Sequence, residues 1–101
     1  MTTHDVSNMI SERVHLTEPD AKVVLFGSRA RGEARPDSDW DVMVLLADDS
    51  KAGRWDVHEQ LWDLGLEVDA EINPVVYRQT EWEKKSFTPF YKNVMHDGIV
   101  L

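Results

Sequence analysis

Asp39 and Asp41 flank Trp40 in the stretch Ser38-Asp39-Trp40-Asp41-Val42-Met43-Val44-Leu45-Leu46. On an extended strand, alternate side chains share a face, so the two carboxylates point the same way. Like charges held side by side repel, and a divalent cation relieves the repulsion. A hard, oxygen-preferring ion such as Mg²⁺ suits this pair when phosphates complete its shell. The stretch Val23-Val24-Leu25-Phe26-Gly27-Ser28-Arg29-Ala30-Arg31-Gly32 supplies a complementary half. Gly27 lets the backbone approach a ligand closely. Ser28 offers a hydroxyl, the amides after it can face an anion, and Arg29 and Arg31 bring positive charge. An ion pair between the acids and Arg29 or Arg31 is the alternative use of these groups. The joint occurrence of anion donors and paired acids favours metal-bound phosphate.

The elements that must position these groups follow from periodicity. Ala21 to Phe26 is an almost purely apolar run and reads as a strand buried on both faces. A Gly-Ser turn, a short helical turn and a polar loop over Glu33 to Ser38 lead to a second strand, Trp40 to Leu46. Trp40, Val42, Val44 and Leu46 form one face of it, which should pack on helices. Upstream, Val6, Met9, Ile10 and Val14 carry helical spacing, and His4 and His15 read as solvated. Downstream, a helix is expected over Arg54 to Leu64, with Trp55, His58, Leu61 and Trp62 on its apolar side and Gly65 as its stop. Leu66 to Tyr77 then alternates apolar and acidic residues and reads as a third strand. Thr80 and Glu83 suggest a capping box. Thr88 and Pro89 open a last helix that ends at Gly98, before the apolar Ile99-Val100-Leu101.

The length of 101 residues fits one domain, spanning 1–101. A hydrophobic content of 42% with four tryptophans indicates a folded chain. The net charge of −8 argues against non-specific nucleic-acid binding through a basic face, and it suits a basic protein partner. The absence of cysteine removes disulfides, zinc-thiolate sites and thiol catalysis. With no signal-like start and no long apolar run, the expectation is a cytoplasmic protein without a membrane span.

Gly-Ser-Arg-Ala-Arg-Gly followed by Ser-Asp-Trp-Asp-Val resembles the nucleotidyltransferase superfamily typified by DNA polymerase beta. More narrowly, the pattern is similar to the small stand-alone members called minimal nucleotidyltransferases. The resemblance covers residues 22 to about 77. It implies an α/β (α+β) fold, a small mixed sheet flanked by helices like the polymerase beta palm. It also implies that Gly27, Ser28, Arg29 and Arg31 hold a nucleoside triphosphate, with ATP as substrate, and that Asp39 and Asp41 bind one or two Mg²⁺ ions. The family's third carboxylate lies on a neighbouring strand. Val68-Asp69-Ala70 offers Asp69 for that metal-binding and catalytic place, and Glu71 is its rival.

The reaction implied is transfer of AMP to an acceptor hydroxyl. Small relatives often accompany a helical, toxin-like partner protein and act on it, so a protein acceptor is implied. The Trp82 to Leu101 segment is the expected contact with a partner or a second copy. The alternative is a module of the same fold that covers its partner without catalysis.

Overall fold

The structure is a computed structural model that describes residues 3–101, with side chains from Asp5 onward; the reading of the His4 side chain lies outside what is described. A four-stranded mixed sheet forms the centre. Its strands are β1 (Lys22–Phe26), β2 (Trp40–Leu46), β3 (Ile72–Arg78) and β4 (Ile99–Val100), in the spatial order β3-β2-β1-β4. β1 is antiparallel to both β2 and β4, whereas β2 and β3 are parallel. The helices are α1 (Thr3–Thr17), α2 (Ser28–Arg31), α3 (Arg54–Val68), α4 (Gln79–Glu83) and α5 (Pro89–Asp97). A parallel pair needs a crossover, and α3 supplies it between β2 and β3.

Strand alternation divides the core in two. Trp40, Val42, Val44 and Leu46 pack with Ile10 and Val14 of α1 and with Val57, Leu61 and Leu64 of α3. Met43 and Leu45 face the other way, onto Trp82 of α4 and Val94 of α5. The sheet is therefore covered on both faces, which is why β1 and β2 are nearly continuous apolar runs. The Trp82 to Leu101 segment, expected as a contact surface, supplies much of this second layer. Trp82 is buried, stacks with Tyr77 and packs at a tilt against Tyr91, and β4 zips onto β1. Phe87, Met95 and Val100 remain exposed.

Several local expectations are corrected. The helix expected to stop at Gly65 runs on to Val68, and the strand expected from Leu66 begins only at Ile72. Gly65 serves a close approach instead: a Cβ there would lie 2.7 Å from the Ala70 carbonyl oxygen, and the Ala70 amide donates to Gly65 O at 3.0 Å. The inner face of α3 is Val57, Leu61 and Leu64, while Trp55 and Trp62 face water. At α4 the reciprocal cap is Arg78 N–H donating to Glu81 at 2.9 Å, earlier than the expected Thr80 to Glu83 pairing. His15 is not simply solvated: its Nε2 bonds the Ala21 carbonyl at 2.8 Å and its Nδ1 pairs with Ser11 at 3.1 Å. No helix among the described residues is long and apolar enough to cross a membrane.

Candidate active site

Antiparallel register sets Phe26, the last residue of β1, opposite Asp41 on β2. The chain must then turn sharply, and Gly27 does so at φ 75°, ψ −156°. This region of backbone space is essentially reserved for glycine. The turn faces the acids directly, since a Cβ on Gly27 would collide with the Asp41 carboxylate. Ser28 follows as the first residue of α2, and its hydroxyl makes no hydrogen bond among the described residues.

Gly27, Ser28, Arg31 and Asp41 line one cleft of about 410 Å³, walled on its far side by Phe90, Asn93, Val94 and Asp97 of α5. Asn93 and Asp97 drew no attention in the sequence, because a polar pair on a terminal helix carries no motif. Arg31 pairs with Glu33 at 3.2 Å, and its positive charge also favours the ionised form of Asp41.

Parallel register places Asn73 of β3 opposite Asp41. The Asn73 side-chain amide donates to Asp39 Oδ2 at 3.1 Å and favours the charged form of Asp41 as well. Burial nonetheless raises the Asp41 carboxyl above its ordinary value, and the neighbouring charge of Asp39 adds to the effect. The Glu71 carboxyl is likewise raised, first by its hydrogen bond with Asp39 and then by charge repulsion from it. Asp39, Asp41, Asn73 and Glu71 therefore form one corner where β2 and β3 begin. No ion pair joins Asp39 or Asp41 to Arg29 or Arg31 among the described residues.

Two expected site residues stand elsewhere. Asp69 caps the C-terminus of α3 in the left-handed conformation (φ 52°, ψ 50°) rather than sitting on a strand, and it lines a groove with Glu71 and Asn73 without a hydrogen bond to Asp39 or Asp41 among the described residues. Of the two acids offered for the third position, Glu71 is the one whose carboxyl Asp39 perturbs. Arg29 turns away from the cleft. Its guanidinium lies 4.1 Å over the Trp40 ring and donates to the carbonyls of Ser38 (2.7 Å), Pro36 (3.3 Å) and Arg35 (3.4 Å). It fastens the loop that delivers Asp39. A planar fork on three carbonyls and a ring cannot be replaced by a lysine. Arg29→Ala and Arg29→Lys should therefore weaken Mg²⁺-ATP binding alike, with the loss unchanged between low and high salt, as calorimetry would read. A loss confined to low salt would return Arg29 to direct phosphate attraction.

The corner's fitness for a metal rests on its donors. Among the described residues, no three His, Cys, Asp or Glu side chains are grouped to hold a metal ion. The donors present are carboxylate oxygens in a repelling pair. Mg²⁺ keeps much of its shell as water and phosphate and takes only one or two carboxylates. The set fits Mg²⁺ shared with a triphosphate, and does not fit an ion enclosed by protein alone.

Comparison with known proteins bears on this arrangement. The nucleotidyltransferase domain family matches residues 7–101. A Methanocaldococcus jannaschii protein named as a protein adenylyltransferase is 32% identical over 80 residues, which are 79% of this chain and 76% of that protein. Among solved structures, a toxin-antitoxin with AMP-PNP superposes with a TM-score of 0.67 at 21% identity, over 92% of this chain and 69% of the other. A nucleotidyltransferase structure from Sulfolobus solfataricus gives 0.61 at 20% identity, over 95% and 76%. A Shewanella oneidensis complex of a tri-AMPylated HEPN toxin with MNT antitoxin gives 0.65 at 18%, over 98% and 71%. These likenesses share the mixed sheet and its flanking helices.

Proposed function

The chain belongs to the nucleotidyltransferase domain family, and from that premise we propose that it transfers AMP from Mg²⁺-ATP to a hydroxyl on a partner protein in the cytoplasm, residues 1–101 acting as one domain. The observation that carries this reading is the convergence of Gly27, Asp41, Asp39, Asn73 and Glu71 at one end of the sheet. Gly27 and Ser28 would cradle the triphosphate, with Arg31 supplying positive charge at the cleft wall. Asp39 and Asp41 would hold Mg²⁺, which when bound neutralises phosphate charge. Glu71 accepts the proton of the acceptor hydroxyl, a task suited to a carboxylate whose affinity for protons is raised. The hydroxyl oxygen bonds to the α-phosphorus, the bond from that phosphorus to the bridging oxygen breaks, and pyrophosphate leaves. Asn73 fixes the orientation of Asp39. The names of the adenylyltransferase relative and of the AMPylated toxin complex support AMP as the group moved and a protein as its acceptor.

The test is transfer of label from α-labelled ATP to a hydroxyl-bearing polypeptide, with calorimetry of Mg²⁺-ATP binding alongside. A second reading is favoured by one observation. Asn73, an amide, holds the β3 position opposite Asp41, where a carboxylate would complete a trio. Nucleotide binding without any transfer would select this reading, a module that covers its partner. Ser28→Ala should weaken triphosphate binding about tenfold, equivalent to roughly 1.4 kcal/mol, while thermal stability shifts by no more than about 0.5 kcal/mol. A collapse in melting temperature would mark Ser28 as structural instead.

A further inference from the structure

The outer face of α3 exposes Trp55 (79%), Trp62 (68%) and Leu66 (69%), while its inner face is buried. With Glu59 between the tryptophans, these positions follow the three- and four-residue spacing that lines up one stripe on a helix. The neighbouring flank of α3 is already engaged: Glu67 pairs with Arg13 of α1 at 2.6 Å, and Gln60 donates to the Arg13 carbonyl at 2.9 Å. Large apolar patches left in water mark interaction surfaces, and tryptophan is concentrated at their energetic centres.

The stripe is also connected to the candidate site. A groove of about 400 Å³ runs from Trp62 and Leu66, past Gly65 and Ile72, to Glu71 and Asn73. The charged residues along it are Asp69 and Glu71, with no lysine, arginine or histidine among its walls. Glu59 lies within the stripe and Asp63 beside it. The stripe is thus apolar at Trp55, Trp62 and Leu66 and interrupted by Glu59, with His58 against Trp55, and the groove it opens into carries only negative charge and ends at the proposed proton acceptor.

We propose that the outer face of α3 docks the polypeptide that receives the nucleotide, and that this polypeptide presents apolar side chains flanked by lysine or arginine. The assignment of its occupant as acceptor rests on the transfer reading above; the docking surface rests on the exposed stripe and the charge of its groove. A segment seated on Trp62 and Leu66 reaches Glu71 along the groove, which brings a hydroxyl beside Asp39.

The test uses the full chain and two short synthetic peptides that share a leucine and tyrosine pattern, one flanked by lysines and the other by glutamates. Trp40 and Trp82 are buried, so a change in tryptophan emission on docking reports Trp55 and Trp62. The lysine-flanked peptide should shift emission to the blue and protect it from acrylamide quenching. The Trp62→Ser, Leu66→Ser double variant, altered outside the core, should bind that peptide at least tenfold more weakly. Its melting temperature and its heat of Mg²⁺-ATP binding should match the wild type. Equal binding of the two peptides, no emission change with either, or undiminished binding by the double variant overturns the proposal. So does self-association of the wild type that the double variant abolishes, since a second copy would then own the face. Docking with no transfer to the peptide's tyrosine leaves the surface standing and counts against the transfer reading alone.

Discussion

Replacing both Asp39 and Asp41 by Asn should abolish nucleotidyl transfer, by about a thousandfold or more, and should raise the melting temperature of the protein in metal-free buffer. The loss follows from removing the two negative charges proposed to hold a metal-bound triphosphate, since an amide keeps one neutral oxygen only; loss of even one preorganised electrostatic partner commonly costs about 10²–10³ in rate. The gain follows from the carboxyl titrations. Asp41 and Glu71 both stand above their ordinary values, Asp41 mainly through burial and Glu71 through Asp39. Carboxyls raised in this sense bind protons more tightly in the folded protein than in the unfolded chain. Their destabilising effect is absent below the unfolded value and grows as pH rises through the folded one. Neutral amides at positions 39 and 41 remove that effect, so the variant should melt above the wild type near neutral pH. The difference should shrink as pH falls toward about 4, the usual carboxylate range. Mg²⁺ with ATP should reverse the order, stabilising the wild type and leaving the variant unmoved. Melting curves in EDTA and in Mg²⁺-ATP across pH check both halves. A double variant less stable than the wild type in EDTA at neutral pH would make the acids structural.

Gly27→Ala should cost both stability and nucleotide binding. At φ 75°, ψ −156° the substitution carries a backbone penalty of about 1–3 kcal/mol. The new methyl also drives into the Asp41 carboxylate, so relief of the clash must move the group proposed to hold the metal. For a chain of this size each kcal/mol lowers the melting temperature by roughly 4–8 °C. Gly32→Ala is the matched control. It too has φ 75°, but nothing lies within 4 Å of its added Cβ. Its variant should be strained yet still bind Mg²⁺-ATP. Gly27→Ala with full affinity, or the two variants equally impaired in binding, would show that close approach to Asp41 has no functional role.

The half of the site built on β1 and β2 was legible because its physics is local. An apolar run, a glycine turn and alternating faces require no knowledge of distant residues, and β2 divides its side chains between the two core layers as that alternation demands. The β3 half was not legible, because it depends on how the chain returns. Gly65 looks like a helix stop, and only the approach of the Ala70 carbonyl explains a glycine inside α3. A helix ending there would put Asp69 on a strand, which in fact begins only at Ile72. The three- and four-residue spacing puts Trp55 and Trp62 on the apolar side of α3, whereas Val57, Leu61 and Leu64 fit the same helical period and fill the core. Asn73, next to Pro74, carries no motif in the sequence. Its significance lies in register, and the one available signal was its place two residues after Glu71 on an alternating strand. The motif makes Arg29 a phosphate ligand, yet its planar group lies against three loop carbonyls and the Trp40 ring.

The parallel pairing of β2 with β3 governs when the corner comes into being. Asp41 meets Asn73 only after α3 has crossed over the sheet, so this contact closes a long loop and belongs among the slower steps of folding. The turn at Gly27 and its antiparallel neighbour can precede it, since their loop is shorter. A nascent chain would thus own the Gly27 turn and the Asp39–Asp41 pair before Asn73 joined them, and the cleft wall from α5 and the β4 pairing, which close a still longer loop, would come later again.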